Sequence, residues 1–252
     1  MRSRNRRIVA FPAAALLLLT AACSSGDDTS TDPTTDPTAA PTDAPATPPI
    51  NADLTPYEQF RDGPTACGSD RPAPVEPMAF ERPQDEGLDL ETPVSVTIET
   101  SCGDIVVELE PKIAPLAVNS FVFLARQGFY DGVISHRIMP GFMFQAGDQT
   151  AGGGGDPGYR ILRDEWPGEG FSYDRGVVAM ANAGPSTTGS QFFIMLGPSS
   201  LPPNYTVIGR VISGDEVLDN IDAIPVAARP GGEQSLPLEA LYIEDILVGT
   251  DG

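Results

Sequence analysis

The sequence predicts a mainly β domain in which two helices are set among short antiparallel strands, as a closed barrel with capped ends or as a sandwich. Three observations lead there. Apolar and polar residues alternate with period two in several short runs, the pattern of half-buried strands. Apolar residues recur at helical spacing in only two stretches. Gly and Pro, 26 of each among 252 residues, punctuate the rest and disfavour a helical bundle. An apolar fraction of 40% still supplies one good core.

The chain opens on an address. Arg2, Arg4, Arg6 and Arg7 precede an apolar run from Ile8 to Leu19, too short to span a bilayer and suited to a secretory signal over residues 1–22. Thr20-Ala21-Ala22-Cys23, followed by Ser24-Ser25-Gly26, resembles the lipobox of bacterial lipoproteins, although Thr20 stands where Leu is commoner. That resemblance implies a lipid on Cys23, which becomes the mature N-terminus; the plainer reading is a cleaved signal in which Cys23 is incidental. Arg6-Arg7 is a poor match to a twin-arginine signal because its flanks do not fit.

The formal charge is -20, from 15 Lys+Arg and 35 Asp+Glu, and removing residues 1–22 deletes four arginines and no acid, taking it to -24. So acidic a body excludes a nucleic-acid groove and is repelled by anionic lipid. Membrane attachment then rests on the acyl group. Residues 23–56 are Asp, Thr, Ala and Pro with few large apolar side chains, an extended tether that holds the domain off the envelope. Residues 57–90 remain Pro-rich but add Tyr57, Phe60, Met78 and Phe80, as expected of an irregular arm packed on the domain. Cys67 and Cys102 are the remaining cysteines, in an oxidising compartment if the chain is exported. They form either a disulfide pinning the arm to the first hairpin, the expectation here, or two separate buried thiols.

The domain proper covers residues 91–252. Val94–Glu99 alternates, Cys102-Gly103-Asp104 turns, and Ile105, Val107 and Leu109 alternate again: a hairpin. Pro115 suits a first helical position, Val118, Phe121, Val122 and Ala125 follow at helical spacing, and Gly128 ends the helix. Val217, Leu218, Ile221 and Ile224 stripe a second helix over Asp215–Ile224. Val177–Met180, Phe192–Leu196, Thr206–Val211 and Leu241–Val248 read as further strands.

Polar residues interrupt two apolar stretches. In Ser135-His136-Arg137-Ile138-Met139-Pro140-Gly141-Phe142-Met143-Phe144-Gln145-Ala146-Gly147-Asp148, strand alternation puts Arg137, Met139, Met143 and Gln145 on one face. In Met180-Ala181-Asn182-Ala183-Gly184 through Ser190-Gln191-Phe192-Phe193-Ile194, small residues leave the backbone approachable, and Gln191 and Phe193 share a face. Taken alone, Arg137 fits a structural ion pair in a barrel wall as well as a reactive role. Alone, Phe142, Met143 and Phe193 are more readily core than pocket, and Gln145, Asn182 and Gln191 are satisfied polar residues. The run Gly152–Gly155 is no phosphate cradle, because no Gly-Lys-Ser/Thr follows it. One His and three Cys leave no zinc site to assemble.

Together these stretches resemble the cyclophilin family of peptidyl-prolyl isomerases, as do Gly128-Phe129-Tyr130-Asp131-Gly132, the Gly-rich loop and Pro157-Gly158-Tyr159. The resemblance covers about residues 92–249. It implies an eight-stranded antiparallel β-barrel with a helix over each open end, and an enzyme that needs neither metal nor cofactor. It matches Arg137 to the catalytic arginine and Gln145 to the residue that orients it and holds substrate backbone. Asn182, flanked by Ala181 and Ala183, would fix the peptide through its backbone, with Gln191 alongside. Phe142, Met143, Phe193 and Leu201 match the proline pocket, His136 lines it, and Tyr205 stands where many members have His. Ser200 falls where cyclosporin-sensitive members often carry Trp, which implies weakened cyclosporin binding. The implied partners are proline-containing segments of exported proteins.

Overall fold

A computed structural model of the chain describes residues 51–249. The expected signal segment 1–22, Cys23 and nearly all of the expected tether 23–56 lie outside the described residues.

Among the described residues, eleven strands and three α-helices are formed: α1 Pro56–Asp62, β1 Val94–Thr100, β2 Gly103–Leu109, α2 Pro115–Arg126, β3 Val133–Ile134, β4 Arg137–Met139, β5 Met143–Ala146, β6 Val177–Met180, β7 Phe192–Met195, β8 Val207–Ser213, α3 Asp215–Asp222, β9 Val226–Ala228, β10 Gln234–Pro237 and β11 Tyr242–Val248. Nine strands form one antiparallel sheet in the order β3-β11-β1-β2-β8-β6-β7-β5-β4. Its two ends, β3 and β4, are separated in the chain only by Ser135 and His136. The sheet therefore returns into itself, and counting β3 and β4 as one interrupted strand gives the expected eight around the ring. Ser135 stitches the closure, its amide donating to the Leu241 carbonyl at 2.8 Å and its hydroxyl to the Gln145 carbonyl at 3.0 Å.

Alternation decides what fills the ring. Val96, Ile98, Ile105, Val107, Phe144, Val178, Phe192, Ile194 and Ile208 all point into one buried core. Helix α2 covers it with Val118, Phe121 and Val122, and α3 with Val217, Leu218 and Ile221. Phe121 and Tyr130 meet Phe192 edge-on at 5.4 and 5.7 Å. Helix α2 begins at Pro115 without a side-chain cap of its own; Glu165, from a distant loop, accepts from the amides of Leu116 and Ala117. A carboxylate there satisfies orphan donors and complements the helix dipole. Past the other end, Gly128 at φ 69 lets Phe129 donate back to the Leu124 carbonyl.

The arm follows the barrel surface, and one part of it is more regular than expected. Helix α1 forms because Thr55 and Glu58 cap reciprocally before Pro56, a capping box that residues 55–58 spell out. Farther along, Phe80 packs edge-on against Phe123 at 5.1 Å and donates its amide to the Pro157 carbonyl. The Ala66 amide donates to the Ala240 carbonyl and the Ala240 amide to the Pro64 carbonyl, and a disulfide joins Cys67 to Cys102 at the β1–β2 turn. The strand pair β9–β10 was not anticipated, since Pro225, Pro230 and Pro237 obscure its pattern.

Candidate active site

The register of the sheet assembles a transverse row on its outer face. Arg137 on β4 lies opposite Gln145 on β5, Gln145 opposite Phe193 on β7, Phe193 opposite Ala179 on β6, and Ala179 opposite Val207 on β8. These are the residues whose neighbours, one step along each strand, fill the barrel. The outer face thus carries a second apolar cluster in which Met143, Tyr173, Phe193 and Met195 are buried, with Met139, Phe142, Leu201 and Tyr205 packed against it. This apolar patch, here called the slot, continues the row that begins at Arg137 and Gln145. Tyr205 stands edge-on to Phe193 at 5.4 Å, and its backbone is clamped by the Tyr173 hydroxyl, which donates to its carbonyl at 2.8 Å.

On the other side of Gln145 lies a cavity of about 170 Å³ lined by Gly153–Gly155, Ala181, Asn182, Ala183, Thr187 and Gln191. A line of amides crosses between the two halves. Arg137 Nη1 points to Gln145 Oε1 at 3.5 Å, Gln145 Nε2 donates to Gln191 Oε1 at 2.8 Å, and Gln191 Nε2 donates to the carbonyls of Gly153 and Gly155. The Gly-rich loop is held from below by Asp148, which accepts from the Thr150 hydroxyl and the amides of Thr150 and Gly155. A side chain at Gly155 is excluded, because a Cβ there would stand 2.1 Å from the Asp148 carboxylate. Burial opposes charge on Asp148, but these donors outweigh it and hold the carboxyl below its ordinary range.

One expectation needs correction. His136 does not line the pocket. It is 4% exposed, with its ring beneath Gly153 and Nδ1 unpartnered, and burial pulls its pKa from 6.5 to about 4, so it is a neutral prop for the loop. Arg137 is ion-paired, one of the two roles its sequence setting allowed. Its Nε and Nη2 donate to the two carboxylate oxygens of Glu233 at 2.8 and 2.7 Å. Bonding to Arg137 and to Ser235 drives the Glu233 carboxyl down to about 2, while the same Glu233 contact raises Arg137.

Of the other expected residues, Phe142, Met143, Phe193, Leu201 and Tyr205 meet in the slot, and Gln145, Gln191 and Ala181–Ala183 meet at the cavity. The Asn182 side chain is spent locally, donating to the Asn204 carbonyl and accepting from the Gly184 amide, while the Ala183 amide is taken by Thr187. Glu233, Ser235, Arg229, Tyr173 and Asp148 were missed. For Glu233 no local signal exists, since its partner lies 96 residues earlier.

The sequence model of the "Cyclophilin type peptidyl-prolyl cis-trans isomerase/CLD" family matches residues 95–246, more than half of the chain. The chain belongs to the cyclophilin family. Among curated relatives, peptidyl-prolyl cis-trans isomerase-like 3 of Dictyostelium discoideum is 40% identical over 158 residues, covering 62% of this chain and 95% of that one. The probable peptidyl-prolyl cis-trans isomerase B of Mycobacterium tuberculosis is 40% identical over 170 residues, 62% of this chain and 54% of its own. The chain spans only 27% of the isomerase-like 2 proteins of Cryptococcus neoformans, at 43% identity over 160 residues. Among solved structures, a Cryptosporidium parvum cyclophilin-type isomerase crystallised with the dipeptide Ala-Pro superposes with a TM-score of 0.55 at 34% identity, covering 62% of this chain and 99% of that one. As in those cyclophilins, the fold here is mainly antiparallel β. The matched span 95–246 contains the transverse row, the slot, the cavity and Glu233.

Proposed function

We propose that this cyclophilin accelerates cis-trans rotation about X–Pro bonds in exported proteins, from an extracytoplasmic position tethered to a bacterial cell membrane by lipid on Cys23. The observation that supports the catalytic part is the row Arg137–Gln145–Phe193, in which a cation and an apolar patch that could take a proline ring lie on one face of the sheet.

Amide resonance opposes rotation by about 18–20 kcal/mol, and uncatalysed X–Pro exchange takes tens to hundreds of seconds. Twisting the bond frees the nitrogen lone pair. Arg137 Nη1, the part of the fork that Glu233 leaves open, would hold the proline carbonyl and stabilise that lone pair, with a bound peptide shielding the contact from water. Gln145 would steady both the Arg and the peptide backbone. The slot would take the proline ring, and the cavity the segment before it. A millionfold acceleration needs about 8 kcal/mol in all, so clamping and desolvation share the load with the cation. No proton moves, in keeping with a neutral His136.

A second reading is a non-catalytic module that binds proline-containing segments as a chaperone or envelope interaction protein. The Glu233 carboxylate on Arg137 favours it, because a paired cation has less field to offer. A protease-coupled or exchange-NMR assay on an Ala-Pro peptide separates the two. The isomerase reading predicts exchange well above the uncatalysed rate, whereas binding without acceleration leaves only the module. Cyclosporin should inhibit weakly, Ser200 lacking the indole area and donor. Intact-mass measurement of the membrane fraction tests Cys23: a diacylglyceryl mass on a chain beginning at Cys23 supports the anchor, and an unmodified thiol refutes it.

A further inference from the structure

We propose that Glu233 is a positioning residue for Arg137, presented by the β9–β10 hairpin to fix which edge of the guanidinium faces the substrate; the inference rests on the isomerase reading above. An arginine side chain is long and rotamer-rich, yet the reaction requires an N–H at hydrogen-bond distance from an acceptor that forms only in the twisted state. Two parallel bonds from Nε and Nη2 to one carboxylate fix the guanidinium plane and stop rotation about its Nε–Cζ bond. Nη1 is left toward Gln145 Oε1 at 3.5 Å, a long contact that an incoming acceptor can replace.

Glu233 is itself held. The Ser235 hydroxyl donates to Glu233 Oε1 at 2.5 Å, Arg229 Nε donates to Ser235 Oγ at 3.1 Å, and Arg229 Nη2 donates to the carbonyl of His136. The contacts therefore close a ring that returns to the residue next to Arg137. The hairpin carrying them is a two-stranded sheet outside the barrel ladder, with its backbone closed by Arg229 and Glu233. Its ion pair is also poorly placed to add stability, the side chains of Arg137 and Glu233 being 30% and 39% exposed. Orientation is the remaining role. Arg229 reaches the carboxylate through Ser235 rather than by a direct bond, so the second cation braces Glu233 without replacing Arg137 on it.

The test uses the full chain and an Ala-Pro peptide. Glu233→Gln keeps the shape but turns an N–H toward the guanidinium. It should lower kcat/KM about tenfold, in kcat rather than KM, the range that misplacing a catalytic group costs. The melting temperature should stay within about 2 °C. Glu233→Asp should recover part of the loss. The ¹⁵N–H signal of Arg137 Nε, assigned by its disappearance in Arg137→Lys, should be sharp in the wild type and exchange-broadened in Glu233→Gln. An active wild type with a Glu233→Gln rate equal to or above it overturns the proposal alone and makes Glu233 a bystander or a brake. A slowed variant with an unchanged Nε signal also overturns it. A wild type without catalysis overturns the isomerase reading and this proposal with it.

Discussion

The two faces of the β4–β5–β7–β6 wall both carry an apolar cluster, yet they differ in what covers it. On β7, Phe192 and Ile194 point into the barrel, where strands from all around the ring and helix α2 enclose them. Phe193 and Met195 point the other way, where the cover comes from Phe171, Leu201 and Tyr205 at loops and strand ends. Exposure is 0% for Phe192 and 3% for Phe193, so exposure alone does not tell the two faces apart. The kind of cover does: regular elements cannot be displaced without unfolding, whereas loop side chains can move aside for a ring.

That contrast breaks most sharply at the adjacent pair. Phe192→Ala should destabilise the protein by about 3–5 kcal/mol in denaturant unfolding, the usual result of emptying an enclosed aromatic site. Phe193→Ala should cost clearly less stability while lowering kcat/KM by about one to two orders of magnitude, because the slot loses its floor. Equal stability losses with no difference in activity would erase the distinction between the faces.

A smaller effect comes from the seam where the faces meet. His136 sits at the interruption between β3 and β4, neutral in the folded protein because burial lowers its pKa from 6.5 to about 4. In the unfolded chain it charges below about 6.5, so its contribution to stability is complete above that pH and declines as pH falls toward 4. The loss should reach about 2–3 kcal/mol, measured as a falling denaturation midpoint between pH 7 and pH 4.5. His136→Gln should flatten the curve over that window. An unchanged slope in the variant would mean that other groups govern it.

Much of this arrangement was legible in the sequence, for identifiable reasons. Period-two alternation gave β1 and β2, short apolar segments gave β6, β7, β8 and β11 nearly to the residue, and helical stripes gave α2 and α3. The motif spacing brought Arg137, Gln145 and Phe193 together because alternation on paired strands forces them onto one row. What stayed hidden was non-local. Ser135 closing the ring, Asp148 holding the Gly-rich loop and Glu165 capping α2 depend on pairings that no window of residues contains. Glu233 is the extreme case, since Pro230-Gly231-Gly232 announces a turn but not the guanidinium it faces. His136 was misplaced for the opposite reason: its position in the motif suggested a pocket, while alternation with Arg137 turns it to the other side. Helix α1 was readable from Thr55-Pro56 and Glu58, and the surrounding prolines masked it.

The most direct measurement compares Ala-Pro exchange catalysed by the wild type and by Arg137→Ala. If a cation at the rim of the slot eases amide rotation, kcat/KM falls by at least about a hundredfold, as when a single preorganised donor is removed, while the melting temperature holds. Activity retained within about twofold would contradict the account, since Arg137 would then be a wall residue paired with Glu233 and the acceleration would come from elsewhere.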